Sequence, residues 1–229
     1  MKAQLLTLFA LFTAWPAAAA DTPATRSPVI YVQAWLGALD TGDDSWQASD
    51  TQTGDSVLGD LGTLPFGGGA GQKLWGTGAW RIGFEGGGLG SWKRNTTRFR
   101  RASNGSTSVR IKVDSTYYSL GVFTGGVVSV NLSRYVRLYA AGGPSLTWAW
   151  LQDDGNDDNT ATGVDFNNEN DGSFVAYGRA GIEFVFDNGI TFGASVRHAD
   201  DDFSFGDAGD LKLDEPLYLL TIGALLRDQ

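Results

Sequence analysis

From Phe174 to His198 the chain alternates two kinds of residue. Even positions carry Phe174, Ala176, Gly178, Ala180, Ile182, Phe184 and Phe186, and odd positions carry Val175, Tyr177, Arg179, Gly181, Glu183 and Val185. After Asp187-Asn188-Gly189 the even set resumes with Ile190, Phe192, Ala194 and Val196, against Thr191, Gly193, Ser195 and Arg197. A period of two is the signature of β-strands, whose side chains point to opposite faces in turn. Two strands joined by a tight turn are therefore predicted.

The same period marks eight segments: Val29–Leu39, Phe66–Trp75, Trp80–Trp92, Tyr117–Val130, Tyr135–Leu151, Phe174–Phe186, Ile190–His198 and Leu217–Leu226. The second and third, fourth and fifth, and sixth and seventh are separated by only three or four residues. The remaining gaps (40–65, 93–116, 152–173 and 199–216) are long and polar. Short turns at one end and long loops at the other describe an up-and-down antiparallel barrel of outer-membrane type.

Parity then assigns the faces. The charges inside these segments are Lys73, Arg81, Glu85, Arg137, Arg179, Glu183 and Arg197, all odd, while the large apolar residues are mostly even. A soluble β-sandwich would bury the apolar face and turn the charged one to water. The aromatics decide against it. Trp92, Tyr118, Trp148 and Trp150 lie towards the long loops and Trp80 and Phe186 towards the short turns, as two girdles at membrane interfaces would. The apolar face then meets lipid, and the sheet must close because hydrocarbon leaves no partner for an open edge. The fold class expected is all-β: a closed, eight-stranded, transmembrane β-barrel.

An eight-stranded barrel is wide enough only for its own side chains. The odd-face charges are therefore expected to form a polar plug, with Glu85 and Glu183 each meeting an arginine. Pairs four apart on one strand, Arg179 with Glu183 and Arg81 with Glu85, are candidates. The five bases exceed the two acids by three, so carboxylates from the loops, water or anions are called for. A narrow anion-preferring pore would use the same arginines. Strand glycines such as Gly83, Gly87, Gly125 and Gly143 are expected to make room for them.

Composition adds the compartment. Met1-Lys2, an apolar run to Trp15, Pro16 and four alanines read as a secretory signal, residues 1–20, leaving a single barrel domain from 21 to 229. The chain has no cysteine, which excludes disulfides and thiolate metal sites. Its net charge is −9, or −10 once Lys2 is removed, which argues against nucleic acid as a partner.

The pattern resembles the small outer-membrane β-barrel superfamily that includes the outer-membrane protein A transmembrane domain and the Opa-like, porin-family barrels. "RYVRLYAAGGPSL" (134–146) is similar to the family's fifth strand, and "GRAGIEFVFDNGITFGASVRH" (178–198) to its sixth-to-seventh hairpin. The resemblance implies a structural, envelope-integrity or adhesin-like surface role in a Gram-negative outer membrane, carried out as a monomer. It also implies insertion by the barrel-assembly machinery, which usually reads a terminal aromatic residue. This chain ends "TIGALLRDQ" instead.

Candidate chemistry is sparse. The one histidine, His198, lies in "RHADDD". It resembles lipid A-modifying outer-membrane enzymes locally, but the family's serine and asparagine positions hold Asp200 and Asp201, and Ser204 is six residues away. An enzyme and a cofactor are not expected. The loops differ in sign: residues 92–112 hold seven bases and no acid, and 153–171 seven acids and no base. Lys93, Arg94, Arg98, Arg100 and Arg101 are candidate ligands for lipopolysaccharide phosphates, since arginine suits bidentate contact with such oxyanions. A sulfated host glycan at the loops, or pairing with the acidic stretch, fits the same composition. The acidic stretch lacks the spacing of an EF-hand.

Overall fold

The computed structural model describes residues 28–42, 44–49, 56–103, 107–153, 169–227; the proposed signal and most of the acidic stretch (154–168) fall outside them. Eight strands form the wall: β1 (Val29–Asp40), β4 (Thr63–Trp75), β5 (Trp80–Ser103), β6 (Thr107–Asn131), β7 (Val136–Asp153), β8 (Glu169–Val185), β9 (Ile190–Ala199) and β12 (Leu217–Arg227). Each pairs antiparallel with its sequence neighbour in the wall, and β1 pairs with β12 to close the barrel. The tight turn before β9 has Gly189 at φ 83°, with Phe186 N–H donating to Ile190 O. This left-handed position costs a glycine little.

The outer face is apolar. Leu36, Ile82, Phe84, Phe174, Leu220 and Ile222 are all more than half exposed. Trp92, Tyr118 and Trp150 stand side by side across β5, β6 and β7 in direct register and form the outer girdle. Trp75, Trp80, Tyr135 and Phe186 mark the other end. Twelve residues separate Trp80 from Trp92. At about 3.3 Å per residue and a tilt of about 40°, they span roughly 30 Å, the thickness of a hydrocarbon core.

One strand corrects the parity expected from sequence. In β1 and β5–β12 of the wall the odd residues face inward, but in β4 the inward set is Leu64, Phe66, Ala70, Gln72 and Leu74. The β1–β4 register pairs Val29 with Leu74, and the β4–β5 register pairs Gln72 with Glu85, so parity reverses on entering and on leaving this strand. Lys73 consequently lies outside the lumen, its ammonium 5.5 Å from the ring of Trp75 at the short-turn interface. Outward positions of the same pair of strands hold only glycine in mid-wall: Gly67 faces Gly90, Gly69 faces Gly88, and Gly71 faces Gly86.

The long segments expected to be polar loops contain four short strands: β2 (Trp46–Ser49), β3 (Ser56–Asp60), β10 (Asp201–Ser204) and β11 (Asp210–Leu213). They join the wall through β3, which pairs with the upper part of β5. Trp46 is fully buried beneath them, stacked 5.6 Å from Phe205, and its indole N–H donates to Ala208 O at 2.9 Å. With Leu39, Leu61, Leu64, Phe203, Leu211 and Leu213 it makes an apolar stopper over the extracellular mouth.

Candidate functional site

The lumen at mid-wall is filled by a closed ring of six side chains. Arg137 from β7 donates through Nε and Nη2 to Glu183 Oε2 at 3.1 and 2.7 Å. Arg179 from β8 donates to Glu85 Oε2 at 2.5 Å. Two glutamine amides link the pairs. Gln33 from β1 donates to Glu183 and accepts from Arg179 at 3.0 Å. Gln72 from β4 donates to Glu85 at 2.9 Å and accepts from Arg137 at 2.9 Å. In each amide the oxygen faces an arginine and the nitrogen a glutamate, so the charges fix its orientation.

Both ion pairs have side chains with no solvent exposure. Charges at such depth need partners on every side, because an unpaired ion in low dielectric is costly. The rest of their surroundings is aromatic. Arg137 lies over Tyr31 and Tyr139, at 3.8 and 4.9 Å, and Arg179 over Trp35 and Tyr139, at 4.4 and 4.9 Å. Ring faces carry negative potential and attract guanidinium groups. A side chain at Gly181 would place a carbon 2.6 Å from the Tyr139 ring, and one at Gly125 would reach Tyr177 Oη at 2.9 Å. Gly181 thus makes room for the Tyr139 ring that holds both arginines, whereas a Cβ at Gly83, Gly87, Gly125 or Gly143 would first meet the neighbouring strand's backbone oxygen, at 1.9, 2.1, 2.3 and 2.2 Å.

The expected partners for Glu85 and Glu183 are present, but on other strands than their own: Glu85 meets Arg179 across the lumen, and Glu183 meets Arg137, its register partner on the adjacent β7. Arg197 lies one level higher. Its Nη2 donates to Ser145 Oγ at 2.8 Å, and it shares a cavity of about 20 Å³ with Asp201. That volume holds about one water. Asp201, 8% exposed, is the loop carboxylate that the charge excess called for. With Lys73 outside and Asp201 inside, four lumen arginines face three acids. The remaining one, Arg81, is half-buried at the periplasmic mouth and lines an open vestibule of about 540 Å³. Gln72 escapes a reading of the sequence because its strand reverses parity, and Asp201 because it follows the end of an expected strand.

His198 is on the outward face of β9, half-exposed, with Nε2 3.1 Å from Asp200 Oδ1. Ser204 is engaged through its backbone N–H, which donates to Asp171 at 2.6 Å.

Beyond the girdle, β5 and β6 continue as a ribbon, and its register sorts the basic candidates. In that register Arg98 pairs with Lys112 and Arg100 with Arg110. Arg94 is exposed on the same side of β5 as Trp92, and the side chains of Arg98, Arg100 and Arg101 lie outside the described residues. Lys93, between Trp92 and Arg94, has the opposite parity. Lys93 instead donates to Leu61 O and to Thr63 O, the latter at 2.9 Å, and so ties the end of β3 to the start of β4.

Comparison with known structures agrees with the fold. The outer-membrane protein OprG of Pseudomonas aeruginosa aligns with a TM-score of 0.61 at 13% identity, over 89% of this chain and 98% of its own. Ail of Yersinia pestis aligns at 0.43 and 13% identity, over 88% and 99%. Neisserial surface protein A aligns at 0.40 and 15%, over 87% and 97%. Comparison with curated proteins finds no match in sequence. The model of the outer membrane protein beta-barrel domain matches residues 5–215. The chain belongs to that family and resides in the cell outer membrane.

Proposed function

We propose that this barrel acts without conducting and without catalysis, as a structural and surface-interacting component of the outer membrane. The observation that carries this reading is the closed ring formed by Gln33, Gln72, Glu85, Arg137, Arg179 and Glu183. It fills the lumen at mid-wall with paired charges. The apolar stopper around Trp46 adds a second closure on the outside. What the protein offers to its surroundings is then its outer surface and the tall β5–β6 ribbon, and it works as a monomer. The anion-pore reading would place the same arginines along an open path. Between ring and stopper, however, the cavity beside Arg197 and Asp201 is about 20 Å³.

The test is a planar bilayer containing the purified, heat-modifiable barrel. The proposal expects no stepwise current at moderate voltage in molar chloride. Reproducible steps with anion preference, lost on replacing Arg179, would replace it with the pore reading. Release of acyl chains or phosphate from lipid A, abolished by His198→Ala, would replace it with the enzyme reading.

A further inference from the structure

Below the ring the lumen opens again. The vestibule at the periplasmic mouth, about 540 Å³ in volume, is lined by Val29, Tyr31, Arg81, Asn131, Val185 and Leu225, with residues of two short turns at its rim. Small-molecule sites occupy roughly 300–1,000 Å³. Tyr31, itself buried, stands between the vestibule and the ring, with the guanidinium of Arg137 3.8 Å from the centre of its own ring. A ligand reaches this space from the periplasm and meets the closed ring beyond it.

The two sides of the vestibule differ in chemistry. Hydrogen-bond donors come from one half of the wall: Arg81 on β5, Asn131 at the end of β6, and Ser133 and Arg134 in the turn that follows. The other half, formed by β1, β8 and β12, supplies Val29, Val185 and Leu225, all half-buried. Val29 and Leu225 pack against the buried cluster of Tyr31, Leu74, Val127 and Tyr139, which holds the apolar side in place. The polar side is held as well. Asn131 N–H donates to Ala79 O at 2.8 Å and joins the turn before β5 to the turn before β7. Ser133 Oγ accepts from the N–H groups of Tyr135 and Val136, both at 3.1 Å, which leaves its own proton to donate. Arg134 lies over the ring of Tyr135 at 4.3 Å.

Arg81 is the central group. The carboxylate four residues along its strand, Glu85, is already engaged: Oε1 accepts from Tyr177, and Oε2 from Gln72 and Arg179. Arg81 therefore lines the vestibule and takes no part in the ring. We propose that the vestibule binds a small amphipathic carboxylate, with its anionic head on Arg81 and its apolar body against Val29, Val185 and Leu225. A planar guanidinium offers a carboxylate two parallel hydrogen bonds. Neither half of such a ligand suffices alone: a bare anion leaves the apolar side wet, and a neutral apolar molecule leaves the guanidinium to water. The site lies on the periplasmic side of the ring and is independent of whether the lumen conducts.

The test records amide proton–nitrogen correlation spectra of the full chain in zwitterionic micelles during titration with 3-phenylpropionate. Acetate, inorganic phosphate and 3-phenylpropanol are titrated in parallel. The 3-phenylpropionate ion is expected to shift the amides of Gly78, Ala79, Asn131 and Ser133 saturably, and to bind at least about ten-fold more tightly than each of the other three. Arg81→Gln is expected to abolish the advantage over the alcohol. Arg81→Lys should keep part of it, since lysine retains the charge without the fork. Leu225→Asn, close in volume, should narrow the advantage over acetate. Boiled and unboiled gel mobility establishes that each variant has folded. Equal binding of acetate or phosphate would reduce the site to a general attraction for anions and overturn the inference. Equal binding of 3-phenylpropanol, or shifts of like size at the lipid-facing Leu36 and Leu220, would reduce it to partition into the micelle and overturn it. Unchanged binding in Arg81→Gln, or no saturable shift in the parent, would overturn it as well. Bilayer current is read separately, so failure here leaves the closed-lumen reading standing, and current there leaves this site standing.

Discussion

Gln72 stands directly opposite Glu85 in the β4–β5 register, and its amide donates to that carboxylate at 2.9 Å while accepting from Arg137 at the same distance. A neutral side chain thus connects the neighbouring-strand pair Arg137–Glu183 to the cross-lumen pair Arg179–Glu85. Gln72→Leu keeps the volume and removes both hydrogen bonds. It is expected to destabilise the barrel by about 1–3 kcal/mol, since a charged donor and a charged acceptor each lose a partner at depth. Urea unfolding in lipid vesicles, followed by tryptophan fluorescence, measures the change. A loss within error of zero would mean that water replaces the amide freely and the ring is not closed.

The two ion pairs are expected to act as units. Glu183→Gln alone leaves Arg137 short of its carboxylate and should cost about 3–5 kcal/mol, as should Arg137→Met alone. The double variant should be much closer to the parent than the sum of the two. The double-mutant cycle reports this coupling directly. Additive losses would show that the pair is solvated and that its 2.7 Å contact contributes little.

Most of the wall is legible in the amino-acid sequence, and the parts that are not have physical causes. Seven wall strands, the short turns and both girdles follow from a period of two, which lipid on one side and charge on the other enforce strongly. In β4 the stretch Phe66 to Gly71 is mostly glycine, so alternation there is nearly silent and Lys73 is the sole guide to its faces. A lysine beside an interfacial tryptophan can lie outside the lumen, its stem along the apolar surface and its ammonium towards water, and that is where Lys73 is found. Gln72, its inward neighbour, is hidden by the same reversal. The stopper has a readable signal in Phe203, Phe205, Leu211 and Leu213, which keep the inward odd parity past the end of β9. The long polar gaps around them obscure it. Which arginine each glutamate meets, Arg179 across the lumen for Glu85 and Arg137 on the neighbouring strand for Glu183, is beyond reach, because spacing along one strand says nothing about which other strand a side chain meets.

Closure in two layers makes a prediction about current. Replacing Arg137 and Arg179 together by alanine empties the mid-wall ring but leaves the stopper, so bilayers should remain silent. Removing the stopper by Trp46→Ala with Phe205→Ala should also leave them silent, because the ring persists. Only the combination should conduct. Steps from the ring variant alone would show that the stopper opens spontaneously.

Trp46→Ala tests the stopper without touching the wall. Loss of a fully buried indole from a packed cluster costs about 3–5 kcal/mol. That exceeds what a four-residue strand such as β2 can hold by its ladder, so β2, β10 and β11 should lose their hydrogen-exchange protection. The wall strands should keep theirs, and the unboiled gel band should stay compact. Loss of protection throughout would mean that stopper and barrel fold as one cooperative unit.

The facing glycines of β4 and β5 bear on how the bilayer sees this molecule. Gly67, Gly69 and Gly71 with Gly90, Gly88 and Gly86 leave mid-membrane backbone uncovered on one flank, while Leu36 and Leu120 rise from strands on either side. An acyl chain there lies in a shallow furrow against peptide planes, with a side chain's depth of wall missing. The barrel is therefore not equivalent around its circumference. It has a grooved flank and a ridged one, and a neighbouring lipid can tell them apart.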